Sequence, residues 1–149
     1  MITNCVVLFY VSRRAEGERH GNWRIWMEAC CTMAKILFVL NDPPYGTERS
    51  YNALRLAGSL SKATGEEVRM FFIGDAASCA KTGQKVPEGF YNLQLMIGRV
   101  VRTGAEVGVC GTCMDARGIT DAELIEGVRR STLAELSSWT QWSDKVLVF

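Results

Sequence analysis

From Met33 onward the chain alternates short apolar runs with stretches of helical periodicity, and few folds accommodate that alternation. Residues 35–40, apolar throughout after Lys35, form a strand-like run that stops at the rigid turn Asn41-Asp42-Pro43-Pro44-Tyr45-Gly46. Ala53, Leu56, Ala57, Leu60 and Ala63 then recur on one helix face, with Gly65 as a left-handed stop. Residues 67–73 read as a second strand and 105–109 as a third. Residues 145–149 read as the last strand, and a weaker one is expected near 124–129. Between them fall a short helix over 76–81, a polar loop over 82–89, and a helix carried by Phe90, Leu93, Ile97, Val100 and Val101 that Gly104 closes. Thr120–Glu123 and Thr132–Glu135 both fit the capping-box pattern, and the second predicts a helix whose inner stripe is Leu133, Leu136 and Trp139. Strands separated by single helices need crossover connections. The expected fold class is therefore α/β: a three-layer α/β/α domain with a mainly parallel sheet. Parallel strands covered on both faces read as unbroken apolar runs, as these do.

The chemistry concentrates in residues 105–118, which read Ala-Glu-Val-Gly-Val-Cys-Gly-Thr-Cys-Met-Asp-Ala-Arg-Gly. A strand that delivers Cys110 where a short helix begins places a thiol at the usual ligand crevice of an α/β sheet. The free amides and partial positive charge of the helix start favour thiolate over thiol. Cysteine is also among the most buried residue types, so a packing role for Cys110 is the plainer alternative. Cys113 completes a Cys-x-x-Cys spacing and either resolves chemistry on Cys110 or turns into the helix core. Cys79 lies on the neighbouring loop, within reach of both. A metal site from Cys79, Cys110 and Cys113 is conceivable, but one Cys-x-x-Cys without a second pair or a local histidine is a weak zinc signal. Neither metal nor cofactor is expected.

Composition excludes several classes. The chain has 149 residues, enough for one domain with its own core. Its formal net charge is +1 and no basic stripe interleaves with aromatics, so nucleic acid is not an expected partner. No apolar run approaches the roughly 18 residues needed to cross a bilayer. Six cysteines in this length are too few for a secreted disulfide scaffold and fit reduced thiols in the cytoplasm. From Met33 on there is no histidine, which argues against hydrolysis by a conventional triad.

Residues 1–32 differ in character: an apolar run over 5–11, charges over 13–24, two tryptophans and the single histidine, His20. The basic residues follow the apolar run, the reverse of a signal peptide. This segment is expected to be an extension outside the core of a domain spanning 33–149, and the adjacent Cys30 and Cys31 carry no assigned role.

Three features of the domain carry a family resemblance: Pro44-Tyr45-Gly46-Thr47 after the opening strand, Val109-Cys110 with Gly118 eight residues beyond the cysteine, and the closing Asp144-Lys145-Val146-Leu147-Val148-Phe149. On these, residues 33–149 resemble the DsrE/DsrF/TusD-like family of small sulfur-relay proteins. The resemblance implies a flavodoxin-like α/β/α fold, assembly as homo-oligomers (trimers or hexamers), and a persulfide carried on a cysteine at the place of Cys110. Donor and acceptor would then be other sulfur-handling proteins. The simplest carriers of the family use a single cysteine, from which Cys113 departs.

The remaining residues at the same edge have two readings each. Asn41, Tyr45 and Thr47 can orient a small anionic or persulfidic ligand, or serve as turn chemistry with Thr47 as a helix N-cap. The turn lacks the glycines and lysine of a phosphate loop. Arg117 can lend positive charge to the thiol or simply be solvated. Leu95 and Met96 exceed one helical stripe and suggest a subunit interface, while Trp139 and Trp142 are expected at the core margin or a subunit interface rather than stacked on a cofactor. Two readings from different classes follow: a sulfur carrier with Cys110 as carrier and Cys113 or Cys79 as accessory, and a non-catalytic oligomeric binding protein. A redox or metal-binding role for the Cys-x-x-Cys ranks third.

Overall fold

The apolar runs become strands β1 (Ala34–Leu40), β2 (Glu66–Phe72), β3 (Glu106–Cys110) and β5 (Lys145–Val148), and a further strand, β4 (Val128–Ser131), joins them. They form one five-stranded sheet in the order β4-β3-β2-β1-β5, parallel at every pairing. The structure is a computed structural model and describes residues 33–63 and 66–149. The expectations placed on residues 1–32 and on Gly65 lie outside the described residues.

The helices are α1 (Arg49–Leu60), α2 (Leu93–Arg102), α3 (Gly111–Asp115) and α4 (Leu133–Trp142), with 3₁₀ turns at Gly74–Ala80 and Asp121–Glu123. From β1 to β4 the chain steps in one direction across the sheet. Right-handed crossovers therefore lay α1, α2 and α3 on one face. The last connection runs back over the whole sheet to β5 and lays α4 on the other. The cores follow suit. Phe38, Met70, Phe72, Val107 and Val109 pack with Leu54, Ile97 and Met114, while Leu37, Phe71 and Cys110 pack with Trp139. Each such side chain contributes about 1.5–3 kcal/mol on burial.

Gly108 lets α4 approach the sheet. A β-carbon there would stand 3.1 Å from Ser131 Cβ and 3.2 Å from the Trp139 ring, which meets Phe71 edge-on at 6.0 Å. The Arg69 guanidinium lies 4.0 Å from the Trp142 ring centre and 5.4 Å from that of Trp139, which places both tryptophans at the core margin. One helix cannot cover five strands. Register pairs Leu37 with Val146 and Val39 with Val148, so this face continues onto β5, where Val148 is 61 % exposed.

Several local expectations are corrected. The weak strand falls at Val128–Ser131 rather than 124–129, and Leu124 instead bridges antiparallel to Lys81. Leu133 is 69 % exposed and leaves the inner stripe to Trp139 and the half-buried Leu136. Phe90 precedes α2 and is 70 % exposed; Asn92 caps that helix by accepting from the Leu95 amide at 3.2 Å. The box at Thr120 forms in full, with its amide donating to Glu123 at 2.9 Å. At Thr132 half of the box forms, because the Glu135 carboxylate turns to Arg129 and Ser131. Among the described residues, no helix is long and apolar enough to cross a membrane.

Candidate functional site

Cys110 is the last residue of β3 and the N-cap of α3, so its place follows from the strand's apolar run ending one residue before Gly111. Strand alternation sends Val107 and Val109 to the α1–α3 face and Cys110 to the α4 face, beside Ser131 of β4. The side chain is nearly covered, at 7 % exposure. Its sulfur lies 3.2 Å from the Thr112 hydroxyl. The Gly74 amide, in the turn after β2, donates to Cys113 Sγ at 3.2 Å. The two thiols thus share one turn, each with its own polar neighbour, and both are free.

Electrostatics make the two unlike. Burial pushes the Cys110 thiol up, but donation from the Cys113 thiol, the Thr112 hydroxyl and the amides of both residues outweighs it and leaves Cys110 below its ordinary value. Cys113 is raised, first by burial and then by its bond to Cys110, against the Gly74 amide. Thiolate character therefore sits on Cys110 and the proton on Cys113. The local donors do this work, the Cys113 thiol and Thr112 hydroxyl first and the amides after them; a helix of 5 residues has too little length for a full macrodipole.

Neighbouring side chains hold α3 in place. Arg117 donates to the Cys113 carbonyl at 2.9 Å and pairs with Asp75, tying α3 to the turn that carries Gly74. Arg130 of β4 pairs with Asp115 at 2.5 Å. Its guanidinium covers Gly111 so closely that a β-carbon there would stand 2.7 Å from Nε. Sequence reading missed Thr112, Gly74 and Arg130. A hydroxyl two residues after a strand-end cysteine is the one signal that could have found Thr112.

The structure does not bring the other sequence-predicted residues to the pair. Cys79 is fully buried on the α1–α3 side, lies 3.6 Å from the Asp42 carbonyl, and is pushed up to about 12 by burial. The three-cysteine metal site is not assembled; among the described residues no group of three or more histidines, cysteines or carboxylates is placed to hold an ion. Tyr45 donates to Gln84 at 3.0 Å and stacks on Tyr91. Thr47 donates to Asp42 at 2.8 Å, and Glu48 rather than Thr47 occupies the N-cap of α1. The thiol lies at the carboxyl edge of the sheet, as expected, but on β3. The strand order reverses between β1 and β5, two strands away.

Removing the Thr112 hydroxyl takes one donor from the Cys110 thiolate. Thr112→Ala is expected to move the pH profile of Cys110 alkylation upward and to slow the reaction at neutral pH roughly fivefold, the worth of about 1 kcal/mol. Stopped-flow alkylation across pH, read by peptide mass, checks this; an unchanged profile would remove Thr112 from the site.

Comparison with known proteins finds relatives of the domain as a whole. Residues 34–149 match the DsrE/DsrF-like family. The chain is 43% identical to protein YchN of Escherichia coli over 118 residues, which are 78% of this chain and 100% of YchN. It is 40% identical to the uncharacterized protein MK0008 of Methanopyrus kandleri, over 76% of this chain and 93% of that one. The crystal structure of E. coli YchN superposes with a TM-score of 0.74, again over 78% of this chain and all of that one. MTH1491 of Methanobacterium thermoautotrophicum, at 10% identity and a TM-score of 0.61, shares the fold over 78% of this chain and 99% of its own. With a five-stranded parallel sheet and the family match running through β1 to β5, the chain belongs to the DsrE/DsrF-like family.

Proposed function

We propose that this chain carries sulfane sulfur as a persulfide on Cys110. One observation carries the reading: a strand-end thiol 3.2 Å from the Thr112 hydroxyl and held below its ordinary value, with a second thiol three residues later in the same turn held above its own. The Cys110 thiolate attacks the outer sulfur of a donor persulfide. A sulfur–sulfur bond forms to Cys110 as the donor's own breaks, and the donor leaves as a thiolate. The acceptor's thiolate repeats the same step on the loaded site, so no net oxidation occurs and no general base is needed. Cys113, once deprotonated, can attack Cys110 Sγ of the loaded form, closing a Cys110–Cys113 disulfide and expelling hydrosulfide. That step drains the carrier, and the site then needs a dithiol reductant to reset.

The donor and acceptor are proteins in this reading, and the compartment is the reducing cytoplasm, where free thiols persist. The chain works as a homo-oligomer, a trimer or hexamer. The exposed Val146 and Val148 on β5, and Phe90 and Leu95 on the other side, support this. Light scattering at micromolar concentration is expected to give three or six subunit masses; a single-subunit mass would contradict it.

Intact mass after exposure to a persulfide donor tests the carrier role, and Cys113→Ser is expected to lengthen the lifetime of the added sulfur severalfold without preventing its uptake. The two thiols in one turn also favour a second reading, dithiol–disulfide exchange with a partner. That reading gains if the wild type yields a Cys110–Cys113 disulfide with a disulfide donor and never holds extra sulfur.

A further inference from the structure

The thiol chemistry leaves unused the groove between α1 and α2, on the helical layer. It encloses about 580 Å³. Leu54, Met96 and Val100 form its apolar floor, and Arg55, Lys62 and Arg99 stand around it. Among the described residues none of these three cations is ion-paired. The two helices together hold four arginines and not one carboxylate. In the whole chain 17 cations nearly balance 16 anions, so the charge of this layer is segregated rather than a reflection of a basic protein.

We propose that this groove receives an acidic, amphipathic helix of a partner protein. An apolar stripe on such a helix would fill the floor while its carboxylates meet the three cations. The 12 residues of α1 give the groove a length of roughly 18 Å, about three helical turns. Other occupants fit less well. Single-stranded nucleic acid needs free aromatic faces, but Tyr51 and Tyr91 stack on each other at 4.3 Å, and Arg55 covers Tyr51 at 5.4 Å. A second copy docked through a two-fold axis would set these cations against themselves. Residues 1–32 hold four arginines against three glutamates and so lack the complementary charge.

The test uses the full chain and a fluorescein-labelled helical peptide of about a dozen residues, with a leucine stripe flanked by glutamates. A matched peptide carries lysines in their place. Fluorescence polarisation at low salt is expected to show saturable binding of the acidic peptide, weakened at least tenfold in the Arg55→Glu/Arg99→Glu variant. That variant is expected to prefer the lysine peptide. Should the double reversal disturb folding, as judged by circular dichroism, Arg55→Gln/Arg99→Gln is expected to give a smaller loss in the same direction. The Cys110 alkylation rate stays unchanged throughout. The proposal fails if neither peptide binds up to millimolar concentration, if both bind alike, or if the variants leave affinity unchanged. It also fails if an oligonucleotide binds better than the acidic peptide, or if charge reversal changes the sedimentation mass, which would make the face a contact between copies.

Discussion

At neutral pH, Cys110 is expected to react with iodoacetamide at least about a hundredfold faster than Cys79 in the folded protein. Alkylation needs thiolate and access together. Cys79 has neither: burial lifts its thiol to about 12 and its exposure is 0%. At pH 7 a thiol titrating there is ionised only about once in 10⁵ molecules, and reaction must await local opening. Cys110 is pulled below the ordinary value and retains an opening to solvent. Peptide mapping after a short pulse of labelled reagent reads both sites in one sample. Comparable labelling of the two thiols would mean either that the core around Cys79 opens readily or that the hydrogen bonds at Cys110 fail to hold a thiolate. Lowering the pH should slow Cys110, because the reactive form is lost as pH falls through its depressed pKa.

The second large effect is structural and lies away from the sulfur. Gly127→Ala is expected to destabilise the domain by roughly 2–4 kcal/mol, the sum of a left-handed backbone strain and an overpacking cost. Gly127 has φ of +83°, and a β-carbon there would stand 2.3 Å from Val101 Cγ1 on α2. Either α2 shifts or β4 does. Because β4 carries Arg130 over Gly111 and Ser131 beside Cys110, a displaced strand also loosens the thiol turn. Thermal unfolding is expected to drop by on the order of 10 °C, and Cys110 alkylation to lose its sharp pH profile. A variant within about 0.5 kcal/mol of the wild type would show that Val101 can rotate away and that the backbone tolerates the change.

The architecture was legible because the carboxyl-terminal halves of β1, β2 and β3 are buried on both faces, and burial on both faces leaves short unbroken apolar runs there. That same signature placed Cys110 at a strand end. β4 was harder to read. It is an edge strand, and its Arg129 and Arg130 face ion-pair partners on α4, β3 and α3, so Val-Arg-Arg-Ser shows no apolar run. The partners of the turn residues are invisible in one dimension: Tyr45 answers to Gln84, 39 positions on, and Thr47 to a carboxylate five positions back. Cys79 misled for a different reason. Its loop does reach the site through Gly74 and Asp75, but the 3₁₀ turn carries the next residues under the opposite face of the sheet. The capping glutamate Glu135 was read as local, whereas an arginine six residues earlier outbids the backbone for its carboxylate. Contacts set by the fold, rather than by neighbours in sequence, decided each of these.

The central claim is that Cys110 holds a transferable sulfur, and intact-mass spectrometry of the full chain measures that directly. After incubation with a low-molecular-weight persulfide and removal of the excess, the wild type is expected to gain the mass of one sulfur atom. The added atom should map to the peptide containing Cys110 and disappear on treatment with a thiol. Cys110→Ser, close in size and expected to leave the fold intact, should gain nothing, while Cys113→Ser should gain the same single atom and keep it longer. If the wild type stays unmodified, or if the Cys110→Ser protein is loaded to the same extent, the sulfur-carrier account is contradicted.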